Sequence, residues 1–512
     1  MSNRGQSISW KVFPGAIAGT LVLLLSAVIC PINNYAAAIM LMSCAVLVYF
    51  YCVLVQSDKN WWDIRAVFSA IWLMTNGLAA LRLTGYQVLW ETETWICQAL
   101  AYAAAHIGAE IGDVLGDGFY RWVQKRTSPK KGRVLLKLHT ERLFWICVAV
   151  TLMGIFAFVM NVLSKGFIPF FTSGGGNEYY DFYTKWYIFS VAGTMISGLC
   201  YYVLKTQKLS VWKKIFLWVS IVYSTFLFPT LVVNRGCMLT AALSLTTAVF
   251  YLNKRRFGAL ILCVIVIAGA FVIGTKARGY TEAQLNVFFE PIQIGGNKET
   301  EPTETDPTET DPTETDPTET APTETDPTET APTETTPIET QPDASDPGTS
   351  EQDGFQLSGT ASFVYSYLTV SHDNFNEAVR YTSEWTYGVR QLRPFNVILR
   401  SSAIDGVLAN APYYMVRNHL NTVNLIGDAY YDFGVIGTFG LTLLWFVIFG
   451  AIQKFLRKTQ GVFSLLALGN VMTPVALCFF TPWVSQFSFW MHWGLVLLMF
   501  LAAYLSVEKK NR

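Results

Sequence analysis

The sequence predicts an all-α integral membrane protein of about twelve transmembrane helices, with one large extracytoplasmic loop between the ninth and tenth. Three observations predict it. Of 512 residues, 52% are apolar and only 14% charged. Long apolar runs recur along the chain, and the basic clusters between them alternate in side. A bilayer core about 30 Å thick needs roughly 20 apolar residues in a helix. Lipid offers no partner for an unpaired backbone amide, so helices are the expected form.

Runs of this kind fall at 13–31, 35–55, 62–82, 94–115, 141–161, 184–204, 214–233, 237–252, 257–275, 429–453, 461–481 and 485–507. The fourth is interrupted by His106, Glu110 and Asp113. Arg4 and Lys11 ahead of the first run resemble the start of a signal peptide. The run is long and a second follows closely, so it reads as an uncleaved first helix.

The positive-inside rule tests this count. From a cytoplasmic N-terminus, the inner segments hold Lys59; Arg121, Lys125, Arg126, Lys130, Lys131 and Arg133; Lys205, Lys208, Lys213 and Lys214; Lys254, Arg255 and Arg256; Lys454, Arg457 and Lys458; and Lys509, Lys510 and Arg512. Adding or dropping one helix puts a basic cluster on the wrong side. The expected location is a bacterial cell membrane, multi-pass, with both termini cytoplasmic and 276–428 outside.

The chain then divides into a nine-helix region at 1–275, the start of the outer loop at 276–298, an acidic insert at 299–351, a folded outer-loop region at 352–428 and a three-helix region at 429–512. The insert holds 17 acidic residues and no Lys or Arg, so the zero formal net charge hides a remainder with 37 basic against 20 acidic residues. From Pro302 to Thr335 the tetrad Pro-Thr-Glu-Thr occurs seven times at a five-residue period. Regular proline and like charge predict an extended, disordered segment without a core. Residues 355–427 carry Phe363, Tyr365, Trp385, Tyr413 and other aromatics among arginines, which predicts interfacial helices folded against the membrane. The nine cysteines lie in or beside apolar runs without CxxC spacing, as small packing residues do.

No nucleotide-phosphate loop, HExxH, Gly-x-Ser-x-Gly or DxD motif occurs. Neither ATP-driven transport nor metal hydrolysis is expected, nor any cofactor or nucleic-acid partner. Arginine on the outer side does recur. Arg235 stands in Val233-Asn234-Arg235-Gly236 and Arg278 in Lys276-Ala277-Arg278-Gly279; Arg380, Arg390, Arg393, Arg400 and Arg417 follow in the loop. A guanidinium fork suits phosphate or carboxylate oxygens; interfacial arginines also snorkel to headgroups or pair with acids. Arg417-Asn418-His419 and Gly427-Asp428-Ala429-Tyr430-Tyr431-Asp432-Phe433-Gly434-Val435-Ile436-Gly437 lead into the tenth helix. His419 suits a general base. Asp428 and Asp432, one helical turn apart, suit the orientation of an acceptor hydroxyl. Gly166-Phe167-Ile168-Pro169-Phe170-Phe171 suggests a rigid apolar re-entry, or an aromatic belt, at the outer interface.

These features in this order resemble the Wzy-type oligosaccharide repeat-unit polymerases of the O-antigen polymerase and ligase superfamily. The resemblance rests on Gly166-x-Ile168-Pro169-x-Phe171, Arg235-Gly236, the large outer loop and Tyr431-Asp432-Phe433-Gly434-x-x-Gly437. The acidic repeats have no counterpart in the family pattern. The related ligases carry a His-Asn pair where this chain has Asn418-His419.

The resemblance implies a GT-C-like, metal-independent glycosyltransferase acting on oligosaccharides linked to undecaprenyl pyrophosphate, within reach of membrane lipid and a chain-length regulator protein. In that reading Arg235 and Arg278 hold the pyrophosphate and His419 or Asp432 is the base. Arg390, Arg393, Arg400, Arg417, Asp428 and Tyr431 bind the glycan. Alternatives are a glycan ligase, a lipid-linked oligosaccharide flippase, and surface display by the acidic repeats.

Overall fold

Apolar segments must satisfy their backbone hydrogen bonds internally, and the described residues do so with helices alone. The computed structural model describes residues 10–57, 59–127, 139–172, 182, 184–253, 258, 261, 269, 359–417, 420–459 and 461–504. All belong to one compact unit. The acidic insert and nearly all of the expected span at 257–275 lie outside the described residues.

The helices are α1 (Phe13–Ile29), α2 (Asn34–Gln56), α3 (Ile64–Ala80), α4 (Thr92–Thr127), α5 (Thr140–Lys165), α6 (Lys185–Thr206), α7 (Val211–Leu231) and α8 (Arg235–Leu252). Then come α9 (Gly359–Tyr381), α10 (Val389–Leu399), α11 (Ser402–Asn410), α12 (Gly427–Thr459), α13 (Val462–Ala476) and α14 (Phe487–Tyr504). Five of them, α2, α5, α6, α7 and α12, are long and apolar enough to cross a membrane; α1, α3, α8, α13 and α14 are shorter apolar helices. Their outer faces are apolar: Leu47 on α2, Phe156 and Leu163 on α5 and Trp212 and Trp218 on α7 are exposed.

The interrupted fourth run is α4, 36 residues long, or about 54 Å at 1.5 Å per residue. It runs parallel to α12 along most of that length. Gly108, Gly112 and Gly116 face the backbone of α12. A Cβ on Gly108 meets the Leu443 carbonyl oxygen at 2.6 Å, one on Gly112 overlaps the Val447 carbonyl, and one on Gly116 overlaps the Ala451 carbonyl. Gly450 of α12 approaches Ala109 in return. This is the small-residue seam that lets helices in lipid pack backbone to backbone.

The opposite stripe of α4 is polar and faces α3. His106 Nε2 lies 2.8 Å from Ser69 Oγ, which accepts from Tyr102 at 3.0 Å. Arg65, buried on α3, pairs with Asp63, Glu110 and Asp113 at 3.2, 3.0 and 3.1 Å. Lys454 and Arg457 of α12 pair with Asp113 and Asp63, and Lys458 with Asp117. The polar residues that interrupt the fourth run thus find partners inside the bundle, as buried charge requires.

The seam generates a prediction. Gly112→Ala inserts a methyl against backbone that cannot yield, at a cost of about 1–3 kcal/mol. Gly118, whose Cβ meets nothing within 4 Å, tolerates the same change. Thermal melting of the two variants in detergent is the measurement; equal melting would remove the seam from the account of the fold.

Candidate functional site

The end of the bundle where α3 stops and α4 and α12 begin carries the segments that follow the loop. A polar turn of α9, Ser371 to Asn376, is buried there. Asp373 accepts from Gln87 at 2.9 Å and from the Trp90 indole at 2.8 Å. His372 contacts Thr75 of α3 at 3.0 Å and the Asn424 amide at 3.1 Å. Asn374 donates to the carbonyls of Leu420 and Thr422 and accepts from Val416 N–H. Asn376 accepts from Glu91 N–H and Thr94, and Ser371 donates to the Phe479 carbonyl. One helical turn therefore ties the 82–91 segment, the 416–424 segment and the end of α13 together.

Next to it, α12 is broken. Phe433 and Gly434 leave helical geometry, and Gly434 has φ +59° and ψ −146°, a region open in practice to glycine. The Trp385 ring occupies the space a Cβ would need, 2.9 Å away. The break exposes the Asp432 carboxylate to α10. It accepts from Thr386 at 2.5 Å, from Arg390 N–H at 3.1 Å and from Gln391 N–H at 3.3 Å. Asp432 is thus a cap supplied to α10 by another helix, satisfying two N-terminal amides that no residue of α10 can reach.

Arg390 follows from this. Its guanidinium sits 3.9 Å from the Tyr413 ring centre and 4.1 Å from that of Tyr431, and donates to the Ala411 carbonyl at 2.5 Å. Tyr413 donates to Asp428 at 2.6 Å and accepts from Arg393 at 3.2 Å. Five expected site residues, Arg390, Arg393, Asp428, Tyr431 and Asp432, therefore meet in one cluster. Cation–π stacking and capping bonds make it a clamp that holds α10 to α12. Arg400 ends α10 in a left-handed conformation and is exposed. Arg417 is half-buried. Arg278 and the Asn418-His419 pair lie outside the described residues.

A cavity of about 690 Å³ lies at the same end of the bundle, between α6, α8 and α14. Thr184, Lys185, Tyr187 and Val191 line one wall; Val233, Asn234, Gly236, Cys237 and Thr240 line a second. Gln486, Ser488 and His492 line a third, and Tyr367, Asn421, Thr422, Phe480 and Trp483 close over them. Among the described residues that line it there is one lysine and no Asp or Glu.

Of the Arg235-Gly236 pair that opens α8, Gly236 lies at the cavity wall. Asn234 caps that helix, accepting from Cys237 N–H at 3.1 Å, and donates to Tyr187 at 2.6 Å. A Cβ at Gly236 would stand 3.2 Å from Asn234 Oδ1 and 3.3 Å from the Trp483 ring, a tight fit. Val233 just before it has φ +47°, which is strained for a β-branched residue and costs of order 1–3 kcal/mol. The first expected motif also belongs here: Phe167 packs on the cluster of Tyr187, Val191, Val232 and Cys237 that backs the cavity.

Sequence reasoning passed over Lys185, His492 and the Ser371–Asn376 turn. Polar residues at consecutive positions 371 to 374 in a sequence otherwise read as interfacial were the available signal for the last. Nothing local marks the other two.

No protein-family model, curated protein or solved structure matches this chain.

Two predictions follow from this geometry. Gly434→Ala strains the break and meets Trp385, so α10 loses its cap; proteolysis within 389–410 should accelerate, whereas Gly440→Ala, with open space at its Cβ, should leave it unchanged. Burial pushes the Asp373 carboxyl up to about 7 from 3.8, against the hydrogen bonds from Trp90 and Gln87. The folded state then holds a proton the unfolded state has released between these values, so stability falls as pH rises through that window and levels above it. The melting-temperature difference between wild type and Asp373→Asn should fall from pH 4 to pH 7; a flat difference refutes the assignment.

Proposed function

We propose that this chain is a metal-independent membrane glycosyltransferase of GT-C-like architecture, with twelve crossings and the loop outside the cell membrane. It polymerises oligosaccharide repeat units carried on undecaprenyl pyrophosphate at the outer leaflet. The observation that supports this reading is the cavity at the start of α8, with Lys185 on its wall and no carboxylate among its described lining residues.

A helix N-terminus directs unpaired N–H groups and a partial positive charge at its ligand. α8 is 18 residues long and begins with Arg235. A donor pyrophosphate at that point gains charge as its bond to the anomeric carbon breaks, so cations fixed there stabilise the transition state more than the ground state. Tyr187, Tyr367 and Trp483 supply ring faces and Asn234, Asn421 and Gln486 supply amides, a mixture suited to sugars. In the reaction, an acceptor hydroxyl oxygen bonds to the anomeric carbon of the growing chain. The lipid pyrophosphate leaves with the electron pair, and the hydroxyl proton passes to a base. The activated donor makes ATP unnecessary.

The clamp formed by Arg390, Tyr413 and Tyr431 holds the outer helices in place over this end. The acidic repeats serve as a tether, and their deletion should leave polymerisation intact.

The test uses purified protein in vesicles with a lipid-pyrophosphate-linked repeat unit, read as a ladder of chain lengths. Arg235→Ala should slow ladder formation by about 100-fold. Normal ladders from both Arg235→Ala and Arg278→Ala would refute the reading. A single transfer without a ladder would make the chain a ligase, and lipid translocation without a glycosidic bond would make it a flippase.

A further inference from the structure

We propose that His492 is the general base of the transfer reaction, an inference that rests on the function proposed above. Asp432 is committed to the amides of α10 and the Thr386 hydroxyl, and Asp428 accepts from Tyr413. Neither lines the cavity. Among the described residues that do line it, no carboxylate is available, and His492 is the one imidazole. A neutral imidazole keeps a lone pair on one ring nitrogen and can accept a proton there.

His492 lies in the first half of α14, one turn beyond Ser488, and is 3% exposed. Its Nε2 is 3.4 Å from the Val191 carbonyl of α6. A carbonyl can only accept, so Nε2 carries the hydrogen in the neutral ring and the lone pair resides on Nδ1. Nδ1 has no hydrogen-bond partner among the described residues. When Nδ1 takes a proton, Nε2 keeps its bond to Val191, so the ring changes charge without turning. The Val191 carbonyl thus orients the base, in the way that a second group commonly fixes a histidine tautomer.

Position completes the case. His492 is buried and Lys185 is exposed, so the two stand at different depths of the cavity. A sugar between them has its leaving pyrophosphate at one end and the base at the other. The acceptor oxygen then attacks the anomeric carbon from the face opposite the departing phosphate, its proton moves to Nδ1, and the phosphate leaves with the electron pair. That is a single displacement, and the new linkage has the inverted configuration.

The experiment compares the full chain, wild type, His492→Gln and His492→Ala, in vesicles with the lipid-pyrophosphate-linked repeat unit. Glutamine keeps a donor toward Val191 and removes the basic nitrogen. It should lower kcat by about 100-fold or more with KM and melting temperature near wild type, and should abolish the acid limb of the pH–rate profile. The anomeric configuration of the wild-type product, read by NMR, should be inverted. A histidine with a purely structural role predicts the reverse pattern, an active Gln variant and a damaged Ala variant, and that result overturns the proposal. So does a retained configuration. Should His492→Gln fail to fold, diethyl pyrocarbonate on wild type decides: the lipid-linked unit should protect His492 from modification, and absence of protection overturns the assignment. A wild-type chain that forms no glycosidic bond overturns the proposed function itself, which separates the two failures.

Discussion

Backbone contact between α4 and α12 is the constraint on which the other features rest. Three glycines bring two long parallel helices to within the thickness of their backbones. On the α4 side the glycines have no side chain that could adjust that spacing. The rest of α4 is then fixed in rotation: with its glycine face on α12, its polar stripe must face α3. Arg65, Ser69 and Thr75 on α3 meet that stripe or its continuation at His372. A bundle in lipid gains little from burying apolar surface, so packing and polar pairing carry the specificity. This chain uses both faces of one helix to obtain them.

The broken start of α12 depends on the same arrangement. A continuous helix satisfies its own amides and offers nothing to a neighbour. By leaving helical geometry at Phe433 and Gly434, α12 frees Asp432 to cap α10 and presents the Tyr431 ring to Arg390. The strain of that break is localised at a glycine, where it costs least. The same logic applied to Val233 gives a different result, because a valine there bears the strain in full. A β-branched residue held in the left-handed region immediately before Asn234, Arg235 and Gly236 implies that the direction of the α8 N-terminus matters more than local comfort.

The sequence made several of these features legible and hid others for physical reasons. Apolar runs mark helices because lipid exposure demands continuous hydrophobicity, and most runs correspond to helices within a few residues. The interruptions at His106, Glu110 and Asp113 looked like weakness in the fourth run, whereas they are the visible half of a pairing with Arg65, forty-five residues from Glu110 along the chain. Partners that far apart leave no local pattern. Arg235-Gly236 and the Tyr431–Gly437 segment were readable as motifs because backbone demands fix small residues at set spacings. The capping role of Asp432 was not readable, since it depends on where α10 lands. Lys185 and His492 occupy unremarkable positions in their helices, and only the meeting of α6, α8 and α14 brings them to one cavity.

Charge is segregated in this bundle, and the segregation bears on what the cavity can hold. At the far end, Asp63, Glu110 and Asp113 are matched by Arg65, Lys454 and Arg457 in one network, and Asp117 pairs with Lys458. At the near end Glu91 pairs with Arg380, Glu93 accepts from Tyr430, and Asp405 accepts from Asn396. Asp373, Asp428 and Asp432 are each held by hydrogen bonds. Among the described lining residues of the cavity there is no carboxylate, and Lys185 and the positive end of α8 set its charge. An exposed lysine beside a helix N-terminus favours anions. Under the function proposed above, that potential favours a sugar attached to a pyrophosphate over a neutral sugar, with the phosphate toward the helix N-terminus and the sugar toward His492.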